Sequence, residues 1–221
     1  IGPFDPKPIN TAFRDKSGRI YVATDGLRST SVLWASDDNG GTWRDTGGRT
    51  HGRHTVFVLR KDGSILGIGG KETNIDGFMP RSISHDRGQT WKKEITPFPA
   101  LGSNQRPVLI RLASGRLFFA GDFQTKDNGH QPPGMNQFGA FVALSDDDGE
   151  TWKIKKLPGA LRHESRTFSP EKQKLWSTYS PHDHGTIGYA SAVQTRDGVI
   201  HMATSMNHPN QHFEMNEAWI L

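Results

Sequence analysis

Three side chains able to bind an anion or move a proton recur at one offset. His54, Arg106 and Tyr189 each stand nine residues before a glycine, at Gly63, Gly115 and Gly198, and the same count back from Gly18 reaches Ile9. An arginine offers paired N–H donors to a carboxylate. A histidine suits general acid–base work near neutral pH, and a tyrosine hydroxyl can carry a proton beside it. Arg53 adjoins His54, and Arg81 is a further cationic candidate. Two polar stretches add groups that bind sugar hydroxyls: 122–138, with Asp127, Asn128, His130 and Gln131, and 204–212, with Asn207, His208 and His212. Bland accounts exist for each. The trio could be a satisfied polar plug, His208 beside Pro209 a turn residue, and Asp122 the end of a strand. No histidine spacing of the H-E-x-x-H kind occurs, so no metal and no cofactor are expected.

The elements that must position these groups are hairpins. Phe13–Thr24 reads FRDKSGRIYVAT, Val58–Gly69 VLRKDGSILGIG, Ile110–Gly121 IRLASGRLFFAG and Val193–Thr204 VQTRDGVIHMAT. Each is a strand, a tight turn on the glycine, and a second strand rich in β-branched or aromatic residues. Behind three of them follows one phrase, S-x-D-x-G-x-T-W, at Ser36–Trp43, Ser84–Trp91 and Ser145–Trp152. Asp and Ser side chains can bond nearby amides and hold a turn, Gly takes a positive φ, and Trp packs between sheets. The phrase is therefore read as a staple without chemistry. Each unit becomes four antiparallel strands, A to D, with the phrase between C and D. Repeats of this length made only of strands mean propeller blades.

The phrase resembles the Asp-box of sialidase-type β-propellers, and the chain is similar to that superfamily over nearly its whole length. The expected fold is all-β, one Asp-box (BNR-repeat) propeller domain over 1–221, with about four blades recognisable out of a six-bladed plan. In such a topology the starts of the A strands and the B–C loops share one face, so His54, Arg106 and Tyr189 should converge at the mouth of the central channel. Gly188–Gly198 (GYASAVQTRDG) looks like the last-blade strand of bacterial sialidases, whose tyrosine is the nucleophile. Asn104-Gln105-Arg106-Pro107 resembles the strand start that supplies an arginine of the carboxylate-binding triad. The resemblance implies an exo-glycoside hydrolase of sialidase type acting on a terminal acidic sugar. Arg106 with Arg81 or Arg53 would grip the carboxylate, Tyr189 would attack the anomeric carbon, and a carboxylate such as Glu164, Glu214 or Glu217 would accept its proton. His54 departs from that pattern. With Tyr189 and Arg106 it suits a uronate-directed polysaccharide lyase instead. A non-catalytic carbohydrate-binding propeller is the third expectation.

The fourth unit is expected to run strand C through His212–Ile220 and to lack strand D, with Ile1–Pro8 as a substitute outer strand. The polar segment 159–188 reads as an insertion or a degenerate blade. A missing portion or a partner is expected to complete the ring, because open sheet edges associate. Within 221 residues there are 25 glycines, 13 prolines, 6 tryptophans and no cysteine, which suits many short strands and excludes disulfides. The absence of cysteine fits a secreted or periplasmic bacterial protein. No apolar run reaches membrane-spanning length. The formal net charge of +4 is spread along the chain, which favours acidic ligands generally and gives no nucleic-acid stripe.

Overall fold

The computed structural model describes residues 9–71, 73–101, 106–123, 131–136, 138–160, 185–205 and 209–221. Four antiparallel sheets form a four-bladed β-propeller. The first sheet holds β1 (Ile9–Arg14), β2 (Ile20–Asp25), β3 (Ser31–Ser36) and β4 (Arg44–Arg49). The second holds β5 (Val56–Leu59), β6 (Ile65–Ile68), β7 (Phe78–Ser84) and β8 (Lys92–Pro99). The third holds β9 (Val108–Arg111), β10 (Leu117–Phe123), β11 (Gly139–Ser145) and β12 (Lys153–Lys156). Among the described residues the fourth has three strands, β13 (Ser191–Gln194), β14 (Ile200–Ala203) and β15 (His212–Met215). Strands pair in chain order within each sheet.

The A–B turns form where the glycines require them. Gly18, Gly63, Gly115 and Gly198 all have φ between 85° and 91°, a region that side chains with a Cβ resist. In the first turn the Asp15 carboxylate accepts from the amides of Ser17 and Arg19, and Asp62 repeats the first of these with Ser64. Innermost strands then adjoin in sequence: β1 beside β5, β5 beside β9, β9 beside β13. An open cavity of about 500 Å³ lies among β1, β5 and β9.

Apolar side chains fill the spaces between neighbouring sheets. Tyr21, Leu33, Phe57 and Ile65 pack between the first and second. Leu66, Met79, Phe98, Phe119 and Phe141 pack between the second and third, with Phe98 stacked on Phe119 at 4.2 Å between ring centroids. Val108, Phe118, Val142, Ile200 and Met202 pack between the third and fourth.

The three S-x-D-x-G-x-T-W turns share one network. In the first, Ser36 Oγ donates to Asp38 Oδ1 and accepts from the Gly40 amide, while the Thr42 amide and hydroxyl donate to the same carboxylate. The second and third repeat these bonds around Asp86 and Asp147. Positive φ extends beyond the glycine to the residue before it, Asn39, Arg87 and Asp148. The tryptophans divide. Trp43 and Trp152 donate to the carbonyls of Gly40 and Gly149. In the second turn the Gly88 carbonyl accepts instead from the Gly48 amide and the Thr46 hydroxyl of the first sheet. Trp91 Nε1 is left buried without a hydrogen-bond partner among the described residues. The turn has given up an internal bond for a bond between blades.

The expected long strand over 212–220 is corrected. β15 stops at Met215, and α1 (Glu217–Ile220) follows as a single turn. Asn216, in extended conformation, accepts from the Trp219 amide through Oδ1 at 2.8 Å. An asparagine cap satisfies an amide that the start of a helix leaves orphaned. Ile220 then enters the core between the third and fourth sheets. The expectations for Ile1–Pro8 and for most of 159–188 fall outside the described residues.

Candidate active site

His54, Arg106 and Tyr189 converge, each just ahead of the innermost strand of its sheet. The Arg106 amide donates to the Gly188 carbonyl at 3.0 Å, and Arg106 and Tyr189 form a parallel bridge between the third and fourth sheets. The Arg106 guanidinium lies 5.8 Å from the centroid of the Tyr189 ring, within cation–π reach. The His54 ring meets Tyr189 edge-on, with centroids 5.4 Å apart. His54 is buried, whereas Tyr189 and Arg106 are half-buried. Burial pulls the Arg106 guanidinium below its ordinary pKa, against the opposing influence of Asp25 and Tyr189. An arginine nevertheless stays charged, so a partly desolvated cation faces the site.

A fourth member, Asp25, was not singled out from the sequence. It ends β2, and its carboxylate takes both functional groups of His54. Oδ1 accepts from the His54 amide at 2.8 Å, and Oδ2 lies 3.1 Å from Nε2. This clamp matters because His54 has φ 60°, a left-handed conformation that costs a residue with a Cβ roughly 1–3 kcal/mol. Strain of that kind persists where the surroundings enforce it. The clamp also fixes the ring, leaving one imidazole edge on Asp25 and the ring beside the tyrosine.

A signal for Asp25 was present at a second fixed offset. Seven residues after the turn glycines stand Asp25, Gly70, Asp122 and Ser205. Asp122 does for the fourth sheet what Asp25 does for the second. It is buried and accepts from the Ile187 amide at 2.9 Å and the Thr186 hydroxyl at 2.5 Å, just before Tyr189. Ser205 Oγ accepts from the Tyr189 amide at 3.0 Å. The ends of the B strands thus hold the mouths of A strands.

Other expected site residues lie elsewhere. Arg81 serves a junction between sheets: Nε donates to Glu94, Nη1 to the Gly149 carbonyl and Nη2 to Glu150. Glu214 and His212 gather with His201 on the fourth sheet. Glu217, moved off a strand by α1, pairs with Arg116 and Ser114. Among the described residues no carboxylate hydrogen-bonds Tyr189. Arg53 is half-buried in a backbone bridge with Lys71, beside His54 in the chain. Asp127, His130, Asn207 and Glu164 lie outside the described residues, as do Asn128 and His208.

No protein-family profile and no curated protein matches the chain. Solved structures do. An intramolecular trans-sialidase from Ruminococcus gnavus is similar at TM-score 0.60 and 14% identity, over 95% of this chain and 43% of that one. A protein of unknown function from Dyadobacter fermentans gives 0.57 and 16%, over 92% and 51%. NanB sialidase from Streptococcus pneumoniae gives 0.57 and 15%, over 95% and 31%. The chain spans about half, or less, of each of these three structures. At such identities the likeness is one of fold, and that fold is the sialidase-type β-propeller.

Proposed function

We propose that this chain carries the site of a carbohydrate-active enzyme that takes an acidic sugar of a glycan. Arg106 binds the sugar carboxylate while His54 and Tyr189 move protons. The observation that carries the reading is the convergence of an Asp25-braced histidine, a tyrosine and a half-buried arginine from four different sheets. A polar plug needs no strained histidine, and His54 has φ 60°.

Two bond-breaking routes use these groups. In hydrolysis of the exo-sialidase type, His54 takes the proton of Tyr189 as it attacks the anomeric carbon. The glycosidic C–O bond breaks and the departing oxygen picks up a proton. Water then cleaves the glycosyl–tyrosine bond to release the sugar and restore the hydroxyl. The fold of the neighbours and the place of Tyr189 support this route. In β-elimination from a uronate, Arg106 neutralises the carboxylate, which acidifies the adjacent C5–H. One of His54 and Tyr189 removes that proton, a C4–C5 double bond forms, the C4–O4 bond breaks, and the other delivers a proton to the departing oxygen. Elimination is the better fit to the geometry, because among the described residues the group in contact with Tyr189 is an imidazole and not a carboxylate.

The test is a paired assay on the purified chain. Absorbance from an unsaturated uronate, released from uronate-containing polysaccharide, is the expected signal. Release of the leaving group from a chromogenic sialoside would assign the hydrolytic route instead. Tyr189→Phe and Arg106→Ala should each abolish whichever activity is found while leaving the circular dichroism spectrum unchanged. Full turnover in either variant overturns the site; binding to a glycan array with neither activity overturns catalysis altogether.

A further inference from the structure

A second cluster lies on the fourth sheet, apart from the residues that contact Tyr189. His201 on β14 pairs directly across from Glu214 on β15, and His212 sits two residues before Glu214. Strand alternation therefore puts all three side chains on one face. His201 Nδ1 lies 3.1 Å from His212 Nε2 and 3.6 Å from Glu214 Oε1. The imidazole rings stack, 8° from parallel. One ligand atom from each side chain falls within 4.8 Å of the others. Two ligands about 2.1 Å from a tetrahedral zinc lie roughly 3.4 Å apart, so the two shorter separations already match a shared ion.

We propose that His201, His212 and Glu214 form a binding site for a divalent transition metal of the zinc type. Two imidazoles and a carboxylate are the donors that such ions prefer over calcium or magnesium. The linear spacing hides the site, because the ligands are assembled by cross-strand pairing and not along one element. Exposure of the cluster leaves a coordination position for water or a further ligand, with the Glu214 side chain 63% and the His212 side chain 55% exposed.

The site would fasten β15 to β14, its neighbour in the fourth sheet. The connection between those strands begins at Thr204, bonded to Gln211 in both directions, and includes Ser205, which accepts from the Tyr189 amide. An ion there would steady the segment that holds the tyrosine backbone.

The experiment is a calorimetric titration of the tag-free, chelator-treated chain with Zn²⁺ near pH 7.5, with Co²⁺ as a spectroscopic probe of coordination. One equivalent of Zn²⁺ should bind and raise the melting temperature, and Co²⁺ should show the visible bands of a low-coordinate site. H201Q/H212Q, and Glu214→Gln alone in case the double variant folds poorly, should weaken binding on the order of tenfold or more. No saturable uptake by the native chain overturns the proposal. So does uptake of equal affinity in a folded variant, which would point to histidines such as His51 or His85.

Discussion

Asp25 constrains His54 twice, through the backbone amide and through the ring. A carboxylate held on one imidazole nitrogen sets the tautomer and the orientation of the ring. Asp25→Asn should therefore lower turnover by roughly tenfold or more while substrate affinity changes little, because general acid–base groups contribute about 10²–10⁴ and lose much of that when misoriented. The check is kcat against KM. The histidine itself can be removed without fighting its backbone, since asparagine tolerates φ near 60°. His54→Asn should keep the melting temperature within a few degrees and lose about 10²–10⁴ in kcat; a large loss of stability with normal kcat in the folded fraction would make His54 structural. Arginine, histidine and tyrosine were legible here because one offset from a turn glycine repeats. Asp25 lay at another repeating offset, but its role depends on a neighbouring sheet.

The S-x-D-x-G-x-T-W turns are built from one carboxylate serving several donors. The amide and hydroxyl of Thr42 hold Asp38 down at about 2, and the hydroxyl and amide of Thr90 hold Asp86 there too. Both folded values lie below the unfolded ones, so the stabilisation is full above the usual aspartate range and is lost as pH falls through the folded values. The chain should hold its melting temperature from neutral pH to about 4 and lose it between roughly pH 4 and 2; calorimetric scans across that window check it, and a flat profile would dismiss these turns as a source of stability. Asp147→Ala, which removes the acceptor of Ser145 and Thr151, should cost about 1–2 kcal/mol in denaturant unfolding. Turn chemistry of this kind reads directly from sequence because every partner lies within four residues. The loss of the strand expected over 216–220 has the opposite cause. Asn216 can end a strand or cap a helix, and the core that receives Ile220 belongs to distant strands.

Between blades, the same turns become fasteners. The third meets Arg81 through Gly149 and Glu150, Arg60 through Glu150, and the Lys61 amide through Asp148. Arg81, a candidate for carboxylate binding by residue type, is thereby committed to stability. Arg81→Ala should cost about 2 kcal/mol, the range for hydrogen bonds to charged groups, and leave KM unchanged. A raised KM with normal stability would return Arg81 to the substrate. The first junction is closer still. A Cβ on Gly48 would stand 2.3 Å from the Gly88 carbonyl and 2.5 Å from Trp91 Nε1. Gly48→Ala should therefore push the first two sheets apart and lower the melting temperature markedly, as thermal unfolding can show.

Local pattern alone settled the hairpins, the turn glycines, the three repeated phrases and so the propeller, since each depends on neighbours a few positions away and on alternation along a strand. It also marked three of the four side chains that meet ahead of the innermost strands. Which charged groups join that cluster was decided by tertiary structure: Asp25 was drawn in, Arg81 turned to a junction, and Glu214 with His212 gathered around His201. An ionisable side chain has much the same local preferences wherever it ends up. Its partner is chosen by the sheet that packs beside it, and that partner can lie anywhere along the chain.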